Sequence, residues 1–315
     1  MKNLVIVVGG PTASGKSKLA IDLALELNGE IVNADSMQVY GDTPILSATP
    51  DSDEKSKVKH HLFGVYPSSF RGNVVDWLEL CTDKIKDLWK ENKIPVVVGG
   101  TGLYLKNLMG GTTPIPVTSP EIRDKISEEY KNTSLEHMYQ KLCKADEESA
   151  QKISRNDKTR ILRALEVVEA TGIKLSDWHK QPMVKKLPQA HFFFIKLIPD
   201  LNILQKSIEL RLDKMVQQGA VNEVRTLLEK NIPEDLPAMK ALGVPEFADF
   251  IIGKISLEEA ITATKLHTRQ YAKRQLTWFR NQIKADYEIR QCYKGEKNIV
   301  DDIEKALQNS CVKKD

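Results

Sequence analysis

LVIVVGGPTASGKS, residues 4–17, is the stretch from which the rest of the chain is read. Its first five residues are apolar without a break, the pattern of a short strand buried on both faces. Gly9-Gly10 ends the run, and Gly10 opens a complete G-x-x-x-x-G-K-S that closes at Ser17. Glycines there let successive backbone N–H groups curl toward phosphate oxygens. The helix predicted from Lys16 to about Leu27 points the positive end of its dipole at them. Gly10, Pro11, Thr12, Ala13, Ser14, Gly15, Lys16 and Ser17 are therefore the candidate phosphate cradle. Lys16 supplies a mobile positive charge, and the Ser17 hydroxyl is a candidate magnesium ligand. A chance glycine-rich turn would need neither the strand before the loop nor the helix after it.

Working outward, EIVNAD (30–35) reads as a second strand. Residues 75–90 place Trp77, Cys81, Ile85, Leu88 and Trp89 on one helical face. IPVVVGG (94–100) is another continuous apolar strand that ends on paired glycines. Apolar strands alternating with helices predict an α/β fold, a P-loop NTPase-like parallel sheet covered on both faces. After Gly110-Gly111 the texture changes: TTPIPVTSP (112–120) is a proline-rich connector, and 121–172 is helical and charged. QPMVKKLP (181–188) looks like the return, and HFFFIKLIP (191–199) resumes strand character. The expected organisation is a core of residues 1–111 and 189–290 with C-terminal helices, a helical insertion over 112–188, and a polar tail over 291–315. Within the core, 201–230 reads as helical, followed by a loop with Pro233, Pro237, Gly243 and Pro245. A long helix then opens with a Ser256/Glu259 capping box and runs to about Asn281.

Composition narrows the class. The chain has 315 residues, 41% hydrophobic and 28% charged, with no apolar run approaching the ~18 residues of a membrane span. Leu4–Val8 is too short for the apolar region of a signal peptide, so a cytoplasmic protein without membrane contact is expected. Cys81, Cys143, Cys292 and Cys311 form no C-x-x-C pair, which argues against structural zinc and a disulfide framework. The net charge of +3 matters less than its distribution. At 100° per residue, Lys265, Arg269, Lys273 and Arg280 fall within about 80° of one another on the long helix. Arg274 falls beside Tyr271 and Trp278, positioned to stack on an aromatic or to enter a cleft. A second basic cluster comprises Lys152, Arg155, Lys158, Arg160 and Arg163. Each cluster reads either as a stripe that tracks phosphates or as a solvated helix face.

A phosphate cradle does not say which bond breaks. The strand PVVVGG ends in glycines and Thr101 with no carboxylate, and the nearest acid at a strand end is Asp35. That pattern suits an enzyme gripping a diphosphate as a leaving group better than one hydrolysing ATP. Asp35, before Ser36-Met37-Gln38, is placed either for general-base work or as an Asx-turn cap leaving its strand. Thr101 offers a hydroxyl to the same cleft.

Together these motifs resemble the bacterial tRNA dimethylallyltransferases. The carrying residues are Gly9–Ser17, Asp35-Ser-Met-Gln-Val-Tyr40, Val98-Gly-Gly-Thr-Gly-Leu-Tyr104, Arg160–Val167 and Thr268–Arg280, five blocks in order. The resemblance implies transfer of the dimethylallyl group of dimethylallyl diphosphate to N6 of adenosine-37, in tRNAs reading codons that begin with U. It implies Asp35 as general base and Lys16, magnesium on Ser17 and Arg163 on the diphosphate. Thr101 would contact the diphosphate or the adenine, and Ser36, Met37 and Gln38 the displaced base. Further tRNA contacts are implied for Thr159, Arg160, Ile161, Leu162 and Arg163, for Arg123, and for Arg269, Lys273, Arg274 and Arg280. A monomer is expected. The chain departs from the family pattern at Gly41–Pro50, where a lysine is missing, and at Lys158-Thr159, where Pro-Gln is typical. The rival readings are an adenylate isopentenyltransferase acting on free AMP, a small-molecule P-loop kinase, and an RNA-binding P-loop protein without transferase activity.

Overall fold

The computed structural model describes residues 3–312, the side chains of 311 and 312 excepted, so Cys311 lies outside the described residues. Strands β1 (Leu4–Gly9), β2 (Gly29–Asn33), β3 (His60–His61), β4 (Ile94–Gly99), β5 (His191–Leu197) and β6 (Tyr287–Ile289) form one sheet. Its order is β3-β2-β4-β1-β5-β6, and every pairing is parallel. Along β1 the side chains alternate between two cores, Leu4, Ile6 and Val8 on one face and Val5 and Val7 on the other. Helix Lys16–Glu26 covers the first face through Leu19 and Leu23. Helix Val74–Lys90 covers the second through Trp77 and Ile85, joined by Leu105 of helix Gly102–Gly110 and Phe279 of helix Leu257–Gln282. Burial on both faces is why these strands read as continuous apolar runs.

The chain divides into two compact units, Met1–Met109 with Leu187–Asp315, and Gly110–Lys186. In the second, helices Pro120–Asn132, Leu135–Ala145, Glu147–Lys152, Lys158–Thr171 and Leu175–Trp178 enclose a core of Ile126, Met138, Leu142, Ile161 and Val167. Its two ends are pinned by paired backbone bonds between Thr112 and Val184. Asp146 is fully buried between helices, accepting from the backbone N–H and the hydroxyl of both Ser149 and Ser176. Burial alone would raise its pKa, but these bonds outweigh it and hold the carboxyl at about 2.

The structure refines one expectation and corrects two. The 201–230 stretch is two helices, Leu201–Gln217 and Ala220–Glu229, broken at Gly219, whose φ of 102° is left-handed. The proline-containing loop after it holds a short 3-10 turn, Pro237–Lys240, and a helix, Val244–Ile251, because Pro245 sits in a first turn where its missing N–H costs nothing. Residues 291–312 are no loose tail. Helix Lys297–Val312 buries Val300, Ile303 and Leu307 against the β1 core, an apolar stripe its polar composition concealed.

Candidate active site

The phosphate loop leaves β1 and enters helix Lys16–Glu26 through Gly15, whose φ is 86°. A Cβ on Gly15 would lie 2.1 Å from the carbonyl oxygen of Tyr293, so glycine is required by space as well as by conformation. The backbone N–H of Tyr293 donates to the Ser14 carbonyl at 3.0 Å, and its hydroxyl donates to Asp22. The segment before the C-terminal helix thus backs the loop. Lys16 Nζ is 3.4 Å from the Pro11 carbonyl. Burial pushes this lysine down to about 8, opposed by nearby Asp35 and reinforced by the charge of Arg211.

Asp35 sits just beyond β2 and uses its two oxygens differently. Oδ1 accepts from the Met37 N–H at 3.0 Å, and the Asp35 N–H donates to Asn33 Oδ1. Oδ2 faces Gly100 and accepts no hydrogen bond among the described residues. The Asx turn and the open carboxylate oxygen therefore coexist in one side chain. Thr101, at the start of helix Gly102–Gly110, accepts from the Ser36 N–H at 2.9 Å and donates to the Ser36 hydroxyl at 3.2 Å. Its oxygen braces the Asp35 loop. Gln38 spends its amide hydrogens on the carbonyls of Ser47 and Ala48, which fixes the 41–50 loop where the lysine is missing. Glu223 holds the same loop from the other side by accepting the N–H groups of Ile45 and Leu46.

A cavity of about 340 Å³ has Asp35, Ser36, Met37, Thr12 and Arg274 at its polar edge. Ile208, Leu212 and Met215 form its apolar wall. A second, of about 810 Å³, exposes Lys16, Ser17 and Lys18. Arg211 and Met215 line both. Arg211 is the cation the sequence reading missed. Its Nη2 donates to Thr12 Oγ1 at 2.6 Å, and burial draws its pKa down against the opposing pull of Asp35. A signal existed: within helix Leu201–Gln217, Leu204, Ile208 and Met215 are buried, and an arginine at 211 falls on that same stripe. Gln275 was missed for the same reason. It is a polar residue on the buried face of the long helix, accepting from the Thr12 N–H and donating to the Gly100 carbonyl, both at 2.8 Å. The Thr12 amide is thereby committed to Gln275, which removes one backbone donor from the phosphate cradle expected over residues 10–17.

A model of the family described as IPP transferase matches residues 38–282. The chain belongs to that family. A tRNA dimethylallyltransferase of Zymomonas mobilis is 42% identical over 281 residues, 89% of each chain. The solved tRNA isopentenylpyrophosphate transferase of Bacillus halodurans is 30% identical, with a TM-score of 0.71 over the full length of both chains. A eukaryotic dimethylallyltransferase described as acting on tRNA is 31% identical, with a TM-score of 0.75 over 88% of this chain and 70% of that one.

Within this IPP transferase the basic residues divide into free and engaged groups. On the long helix Arg269, Lys273 and Arg280 are exposed, whereas Lys265 pairs with Asp213 at 2.7 Å. Arg274 lies 5.8 Å from the Tyr271 ring and also borders the smaller cavity. In the insertion, Arg163 donates to Thr118 at 2.6 Å and pairs with Glu166, while Arg160 pairs with Asp157. Thr159 is exposed, and Arg123 and Leu162 are partly so. Ile161 is fully buried in the insertion's core, which corrects its place among the expected tRNA contacts: it has no surface to offer. Arg155 and Lys158 lie over the rings of Tyr139 and Tyr130, and Lys152 pairs with Glu148. Among the described residues no group of three or more His, Cys, Asp or Glu could hold a metal, and no helix is long and apolar enough to cross a membrane. The loop's donor set, one exposed Ser17 hydroxyl beside a cradle for phosphate oxygens, fits magnesium, which takes few protein ligands and shares phosphates.

Proposed function

We propose that this chain transfers the dimethylallyl group of dimethylallyl diphosphate to N6 of the adenosine at position 37 of tRNAs that read codons beginning with U. The observation that carries the reading is the shared edge of the smaller cavity. The open oxygen of Asp35, the Thr12–Arg211 pair and an apolar wall all border one space. The N6 lone pair attacks C1 of the isoprenoid, the C1–O bond breaks with its electrons leaving on diphosphate, and the N6 proton passes to Asp35 Oδ2. Lys16, Arg211 and the free amides of residues 13–17 stabilise the charge growing on the leaving group. Ser17 would hold magnesium, which when bound adds neutralisation there.

Ile208, Leu212 and Met215 suit a five-carbon apolar chain. An adenine must leave its stack to reach Asp35, and Ser36 and Met37 border the space that would receive it. Arg269, Lys273 and Arg280 track the tRNA backbone, with Arg123, Thr159, Arg160 and Arg163 of the insertion as further contacts. A cytoplasmic monomer accords with such a substrate.

The test is transfer of labelled dimethylallyl diphosphate, with magnesium, to unmodified tRNA and to free AMP in parallel. Label on tRNA from the wild type, reduced by about 10²- to 10⁴-fold in Asp35→Asn, is expected. Asparagine keeps an acceptor for the Met37 N–H, so that variant should retain its fold. Label on AMP alone would overturn the tRNA reading, and no label on either would overturn the transferase.

A further inference from the structure

We infer that Gln275 is a positioning residue that sets the distance between the leaving-group cradle and the base. The inference rests on the prenyl-transfer reading above. The two halves of that reaction stand on different strands. The cradle follows β1, whereas Asp35 follows β2 and faces the glycine pair that ends β4. One buried side chain spans them. Gln275 Oε1 accepts the Thr12 N–H and Nε2 donates to the Gly100 carbonyl, each at 2.8 Å. A Cβ on Gly100 would sit 2.3 Å from that same Nε2 and 3.3 Å from Asp35 Oδ2. The amide, the glycine and the base are thus packed together with no room for a side chain at 100.

Chemistry fixes the residue type. The bridge needs an acceptor for an N–H on one side and a donor for a carbonyl on the other, and a neutral primary amide supplies both. Turning the Thr12 amide toward Gln275 also leaves the Thr12 hydroxyl to meet Arg211, which ties the leaving-group cation into the same unit. Gln275 lies on the buried face of the helix whose exposed face carries Arg269, Lys273 and Arg280. The cradle is therefore anchored to the proposed tRNA-gripping helix by a hydrogen bond and not through the sheet alone.

The test uses full-length protein and two variants, Gln275→Met and Gln275→Glu. Gln275→Met keeps the bulk and loses both bonds. Its kcat for dimethylallyl transfer should fall by about tenfold to a hundredfold, the cost of a small misplacement of reacting groups. Its affinity for inorganic diphosphate, measured by calorimetry, should fall with it. Its tRNA affinity should stay within about twofold, since no phosphate contact is removed. Gln275→Glu retains the acceptor for Thr12 but regains a donor for Gly100 only when protonated. Its deficit relative to wild type should therefore narrow as pH falls from about 8 to about 6, a range open to a buried carboxyl. Packing alone would produce no such recovery. Unchanged kcat and diphosphate affinity in Gln275→Met, tRNA affinity falling in step with activity, or a pH-independent deficit in Gln275→Glu would each overturn the inference. Diphosphate binding needs no prenyl transfer, so an inactive wild type whose diphosphate affinity still depends on Gln275 would reject the reaction and not the bridge.

Discussion

Arg211 Nη2 donates to the hydroxyl of Thr12 at 2.6 Å, which holds a guanidinium against the phosphate loop with Asp35 and Lys16 as its charged neighbours. The three groups are interdependent. The carboxylate of Asp35 offsets the burial of both cations, and the charge of Arg211 adds to the burial that draws Lys16 down. Removing one changes what the others can do.

Arg211→Ala should therefore act on the donor and not on tRNA. We expect kcat/KM for dimethylallyl diphosphate to fall by about 10²- to 10³-fold, the usual cost of deleting one charge-stabilising donor. Arg211→Lys should recover only part, because an ammonium cannot reproduce the fork that meets Thr12 and a phosphate together. Steady-state kinetics with each substrate varied, beside tRNA affinity by filter binding, would check this. A loss confined to tRNA affinity would assign Arg211 elsewhere.

The lowered pKa of Lys16 predicts an alkaline limb. Below about 8 the side chain is charged and attracts the diphosphate; above it the charge is lost. Thus kcat/KM for the donor, which reports the free enzyme, should decline as pH rises through about 8. Bound diphosphate favours the charged form, so kcat at saturation should decline only at higher pH. Profiles of the two parameters that coincide would argue against Lys16 as the titrating group.

Asp146 makes a stability prediction for the insertion. Its folded pKa, about 2, lies below the unfolded carboxylate's. Its contribution is therefore full above the unfolded value, ~3.9, and is lost as pH falls from there toward the folded value. Asp146→Ala leaves the buried polar groups of Ser149 and Ser176 without their acceptor and should destabilise the insertion by about 2–4 kcal/mol. Trp178, the single tryptophan of residues 110–186, reports that unit, and urea titration followed by its fluorescence measures the shift. An unchanged midpoint would show that the serines find other partners.

Charge reversal on the long helix separates RNA grip from chemistry. Lys273→Glu and Arg280→Glu should weaken tRNA binding and reduce the salt dependence of the affinity by about one phosphate contact each. The KM for dimethylallyl diphosphate should stay near that of the wild type. The log–log plot of affinity against salt is the measurement, and an unaltered slope would mark these residues as a solvated face.

The sequence by itself determined the elements whose information is local. A five-residue apolar run into G-x-x-x-x-G-K-S requires a buried strand, a glycine turn and a helix. The structure has β1, the loop and helix Lys16–Glu26 in those places. The capping box at Ser256 and Glu259 likewise fixed the start of the long helix, because both partners lie within one turn. Asp35 was legible as a strand-end acid, and the structure shows its Asx turn to Met37 beside a second carboxylate oxygen that faces Gly100.

Tertiary structure alone decided which distant side chains meet. Arg211 and Gln275 reach Thr12 from 199 and 263 residues away, and Tyr293 backs Gly15 from a segment whose composition reads as a polar tail. No local rule encodes such contacts: a polar residue on an apolar helical face shows only that it will be buried, not what will satisfy it. The sheet order brings the ends of β1, β2 and β4 together, and the long helix is laid across them. Burial then obliges each stranded polar group to find a partner there. That requirement, which exists only once the chain is folded, converts a phosphate loop and a lone aspartate into one site.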